Sequence, residues 1–141
     1  MLIMTRGLEP WLAAAGVAQL GVAIVNLGVV RLLRWKGELA RLPLLMREVF
    51  QVHVWFISLT LAIFGSTTVR FARELAIGRN PALTWLAAAI AIFWSVRVVI
   101  QVAYYSASHW RGNKARLLIH LLLLVVYGGM ALVYAMAAWG R

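Results

Sequence analysis

Four apolar runs, each long enough to cross a bilayer, are packed into 141 residues, and most of the charges lie between them. They occupy about residues 10–30, 44–68, 82–108 and 115–139. A spanning helix needs about 20 apolar residues, because the hydrocarbon core is about 30 Å thick and a helix rises about 1.5 Å per residue. A soluble fold of this length has too little interior to hide four such runs. Apolar residues make up 64% of the chain, against about 45–50% in soluble domains. The expected class is therefore all-α: a polytopic membrane protein, a four-transmembrane-helix bundle forming a single membrane domain over residues 1–141.

The punctuation between the runs sets the expected topology. Residues 1–9 read as a short polar lead, and the run that follows is too long for a signal peptide. Pro10 suits a first helical turn and Trp11 an interface. Residues 31–48 form a basic connector, whose 31–41 part is expected to extend the first helix until Pro43 ends it. Asn80-Pro81 reads as a cap followed by a proline at the first helical position. Asn113 is a candidate cap for the fourth span. The first and third connectors hold Arg31, Arg34, Lys36, Arg41, Arg47, Arg111, Lys114 and Arg116, and the opposite side Arg6, Arg70, Arg73, Arg79 and Arg141. That bias puts the first and third connectors in the cytoplasm of a bacterial-type inner membrane and both termini in the periplasm.

Composition removes several chemistries. Cysteine and aspartate are absent, and Glu9, Glu38, Glu48 and Glu74 are the four acidic residues. Thiolate chemistry is excluded, and carboxylate-rich metal sites and paired-carboxylate catalysis lack material. The net charge of +10 sits beside apolar runs, where anionic lipid headgroups attract it, and no nucleic-acid-binding motif accompanies it. Membrane lipids are the expected partners; nucleic acid is not.

The third run carries the strongest anomaly. Arg97 puts a full charge inside it, and Gln101, Tyr104 and Ser108 follow at offsets of four, seven and eleven, on one helical face. A charge near the bilayer centre costs about 2.5–3.5 kcal/mol on insertion scales, so such a residue faces protein or a wet cavity. Polar residues recur at sevens on the other spans: Gln19 and Asn26; His53, Thr60 and Thr67; His120, Tyr127 and Tyr134. A shared inward face is the simplest account, with Gly16, Gly21, Gly28, Gly128 and Gly129 allowing close helix approach. Counted inward from the basic connectors at the helical rise, Asn26, His53, Tyr104 and His120 fall roughly 6–10 Å deep, in one layer. Arg97 and Gln101 lie deeper.

Three readings fit that layer. It is an interhelical hydrogen-bond network; or His53 and His120 ligate a b-type haem; or Arg97, Gln101, Tyr104, His53, His120 and Asn26 line a site for an amphipathic molecule such as a lipid, a quinone or a thiol-peptide conjugate. In the last, arginine offers a forked charge for carboxylate or phosphate and tyrosine a proton donor.

Arg97 followed by Tyr104, after Phe93-Trp94 and before a basic turn, resembles the third helix of the MAPEG family, the small four-helix membrane proteins of eicosanoid and glutathione metabolism. The short outer N-terminus, the basic inner connector and a second helix opening on Arg47-Glu48-Val49-Phe50-Gln51-Val52-His53 follow the same order. The family's asparagine and glutamate on that helix fall here at His53 or Val54 and at Phe56 or Ile57. The resemblance implies a homo-oligomer, a trimer with sites between protomers, and a lipophilic substrate for a transferase or isomerase. It leaves haem b and glutathione both open as cofactors. Against it stands a structural or assembly subunit of a larger membrane complex.

Overall fold

The computed structural model describes residues 2–104 and 114–140, with side chains for 7–104, 114 and 117–140. Every element among them is helical: α1 (Leu2–Leu27), α2 (Val29–Leu32), α3 (Lys36–Ala40), α4 (Leu44–Arg70), α5 (Ala72–Ile77), α6 (Pro81–Ala103) and α7 (Lys114–Trp139). Four stretches, Gly7–Leu27, Leu44–Arg70, Pro81–Ala103 and Leu117–Trp139, are long and apolar enough to cross a membrane. The chain is thus all-α with four spanning helices, as its hydropathy requires. Only 28, 22, 28 and 22% of these four windows is buried inside the protein. The uncovered remainder includes Trp11, Ile24, Phe56, Trp85 and Val125, residues that acyl chains solvate.

The chain divides into two compact units, one of Gly16–Arg70 and one of Met1–Ala15 with Phe71–Arg141. In the first, α1 and α4 run antiparallel. Their backbones meet at two glycines: a Cβ added to Gly16 would lie 2.9 Å from the Gly65 carbonyl oxygen, and one added to Gly65 would lie 2.8 Å from that of Gly16. Small residues let backbones approach so closely, which is how packing gains energy where lipid removes the hydrophobic drive. The buried positions of α4 are Val54, Ser58, Leu61, Gly65 and Thr68, alternating by four and three, the seam of a helix against one neighbour. On α1, Gln19 and Ala23 are buried.

In the second unit, α6 and α7 pair antiparallel. Trp94 stacks on Tyr127 with ring centroids 5.0 Å apart and planes 24° apart. Ala87, Ile90, Ala91 and Trp94 are buried on α6, and Tyr127, Met130, Tyr134 and Ala137 on α7. The short α5 buries Ala72, Leu75 and Ala76. It ends on Gly78 in the left-handed region (φ 66°), a conformation glycine adopts without a Cβ penalty. Asn80 then caps α6, its side chain accepting from the Ala82 and Leu83 amides, with Pro81 following, as expected.

Several boundaries differ from expectation. α1 begins at Leu2, so Pro10 lies inside it rather than in its first turn, giving up one backbone hydrogen bond. The basic connector does not extend α1. The helix breaks at Gly28, and α2 closes at Arg34, which sits at φ 57°. There the Trp35 amide donates to Val30 O (3.0 Å) and the Arg34 amide to Arg31 O (3.2 Å), the paired bonds of a Schellman end with arginine where glycine is usual. α6 is described to Ala103, with Tyr104 as its C-cap. Ser108, Arg111 and Asn113 lie outside the described residues.

Candidate functional site

The third span positions Arg97 about two turns before its described end, half-buried among apolar neighbours. Its Nη1 donates to Gln101 Oε1 at 2.8 Å, one helical turn on. Its Cζ stands 4.9 Å from the centroid of the Tyr127 ring on α7, a cation–π distance worth about 0.5–2 kcal/mol by degree of desolvation. That ring is held in turn by its stack on Trp94. Gln101 is buried, 3% exposed, and its Nε2 lies 2.8 Å from His120 Nδ1.

Donor chemistry orients this chain. An arginine can only donate, so Gln101 turns its oxygen to Arg97 and its NH2 to His120. His120 then accepts through Nδ1, and its single ring proton sits on Nε2. The result is a directed chain from α6 to α7, running from a permanent cation through an amide to an imidazole. Fixing both Gln101 groups from opposite sides locks its rotamer, as a connected polar network does.

Of the sequence-derived candidates, Arg97, Gln101 and His120 are joined directly. Tyr104, at the end of α6, is 83% exposed. Asn26 belongs to the other unit, where its Nδ2 donates to Val54 O (3.1 Å) and Ser58 Oγ (2.9 Å). Ser58 Oγ itself donates to Val54 O at 2.8 Å, so α1 is tied to α4 at the level of Val54 and Ser58. His53, also in that unit, is exposed. Its Nδ1 is 2.8 Å from Val49 O of its own helix. Thr60 does the same with Phe56 O, and none of His53, Thr60 and Thr67 is buried. The seven-residue series on α4 therefore does not form its buried seam. Short polar side chains that bond the carbonyl one turn back need no second helix in lipid.

Two participants escaped sequence reasoning as site residues. Tyr127 was detectable, since it lies seven residues from His120 on one helical face. Ser58 was not, since it lies off the His53, Thr60 and Thr67 series and gains meaning only from Asn26 opposite. Among the described residues no group of three or more His, Cys, Asp or Glu side chains gathers as a metal site.

Fold and site together define a multi-pass membrane protein, all-α, with one directed polar chain between its third and fourth spans. No family model, no curated protein and no solved structure matches the chain.

Proposed function

We propose that this protein holds the anionic or polar head of an amphipathic molecule at Arg97, with the apolar faces of its spans taking the tail. The supporting observation is the Arg97 guanidinium: a permanent charge on an apolar span, steadied by Gln101 and the Tyr127 ring. Those two neighbours orient the guanidinium. A carboxylate or phosphate oxygen pair would match its forked geometry. Gln101 serves as the positioning residue, and His120 is the group able to exchange a proton with a bound head. Tyr104, exposed at the end of the same helix, is an outer contact in this reading. The protein sits in an inner membrane with both termini periplasmic, as a homo-oligomer; a trimer with sites between protomers is the form the MAPEG likeness implies. If it is an enzyme, a transferase or isomerase acting on a lipophilic substrate fits this arrangement.

Native mass spectrometry of the detergent-purified protein, with an absorption spectrum of the same sample, tests the reading. A defined bound mass, lost in Arg97→Leu and kept in Arg41→Gln, is the expected result. A bare wild-type protein would overturn it. A Soret band lost in both His53→Ala and His120→Ala would instead assign a haem protein.

A second reading, a structural or assembly subunit, is favoured by a different observation. Arg97, Gln101 and His120 bond one another, and among the described residues no buried side-chain nitrogen or oxygen lacks a partner. In that case Arg97→Leu weakens association with a partner subunit and removes no bound small molecule.

A further inference from the structure

A second place on the chain, in the Gly16–Arg70 unit, has the build of a lipid site. Where α2 turns into α3, a groove of about 330 Å³ is lined by Val30, Arg31, Arg34 and Lys36. The left-handed Arg34 (φ 57°) closes α2 there, and Lys36, opening α3, borders the same groove as Arg31. A second groove, about 470 Å³, is lined by Val25, Gly28, Arg31 and Leu32. Arg31 borders both. Three basic residues thus border one open groove that adjoins an apolar one at the end of α1. Gly28, which carries no Cβ, lines the apolar groove. The surface around it mixes charge with exposed Leu32, Leu33 and Trp35, the composition of a segment lying in the headgroup zone.

We propose that this double groove binds an anionic glycerophospholipid, its phosphate held by Arg31, Arg34 and Lys36 and the start of one acyl chain lying along Val25, Gly28 and Leu32. Charge complementarity selects the head: three like charges crowd one groove in a chain with net charge +10 and no aspartate, and an oxyanion relieves their repulsion. The apolar half selects a lipid over a free anion. An arginine at a left-handed position, where glycine fits without strain, keeps a third donor on the groove, and strain of this kind gathers at ligand clamps.

Native mass spectrometry of the full chain, incubated with dioleoyl phosphatidylglycerol, dioleoyl phosphatidylcholine or inorganic phosphate, tests the proposal. Wild type is expected to retain phosphatidylglycerol in preference to phosphatidylcholine. Arg31→Gln/Lys36→Gln should lower that preference roughly thirtyfold, as the loss of two headgroup cations implies. Arg41→Gln/Arg47→Gln removes the same charge from the same connector outside the groove, and should leave the preference within about threefold of wild type. Gly28→Leu, which fills the apolar half at a φ of −88° that any residue adopts, should weaken phosphatidylglycerol retention with all cations intact. Equal losses in the two charge-removing doubles would overturn the proposal, because diffuse attraction to a basic surface would then suffice. Inorganic phosphate displacing the lipid at equal concentration would overturn it too, as would full retention by Gly28→Leu.

Discussion

Gln101 is the residue on which the α6–α7 polar chain turns. It accepts from Arg97 and donates to His120, so its loss strands a donor and an acceptor at once. Gln101→Leu keeps roughly the size but removes both bonds, and is expected to destabilise the protein by about 1–3 kcal/mol. Asn26→Leu should cost less, about 0.5–1 kcal/mol, because Ser58 keeps its own bond to Val54 O when Asn26 is gone. Thermal unfolding in one detergent, with both variants side by side, checks the order. An Asn26→Leu loss equal to or above that of Gln101→Leu would contradict it. The residues also show what spacing alone conceals. His53, Thr60 and Thr67 look like an inward stripe, yet His53 and Thr60 bond carbonyls one turn back on α4. Periodicity reports which residues share a face of a helix; it does not report whether that face meets protein or lipid.

Among elements, the α1–α4 pair rests on two glycines in backbone contact. A Cβ on Gly65 would meet the Gly16 carbonyl oxygen at 2.8 Å and the Leu20 side chain at 2.9 Å. The leucine can move, but the carbonyl cannot without parting the helices. Gly65→Val should therefore cost more than about 2 kcal/mol, while Gly128→Val on α7, where no atom of the described residues beyond its own helix turn stands within 4 Å of an added Cβ, should change stability little. Resistance of the folded state to sodium dodecyl sulfate separates the two. The α2–α3 turn predicts the opposite sign. Arg34→Gly relieves a left-handed arginine and should raise stability by up to about 1 kcal/mol, read as a higher unfolding temperature in lipid-free detergent. The α6 start offers a check on capping: Asn80→Ala removes the acceptor of the Ala82 and Leu83 amides and should cost about 1 kcal/mol.

At the scale of the whole molecule, orientation is the open variable that charge decides. The chain has no cysteine, so single cysteines report sidedness without background. With the first connector cytoplasmic, Gly37→Cys should be labelled by an impermeant maleimide only after the membrane is opened, and Arg79→Cys from outside in intact cells. The reverse pattern would invert the topology. The number and class of the spans were legible in the sequence, because a backbone in lipid must satisfy itself and only long apolar helices do so here. The Asn80-Pro81 cap was legible for a similar local reason. Within the site, sequence placed Arg97 and Gln101 one turn apart and His120 on the fourth span. Tertiary structure alone decided that His120 meets Gln101, that Tyr127 lies beneath Arg97, that Asn26 finds Ser58, and that Gly16 meets Gly65. The reason is the solvent: acyl chains and helix interiors are equally apolar, so hydropathy marks a span but not its inward face. Which polar and small residues touch is settled only when the helices pack.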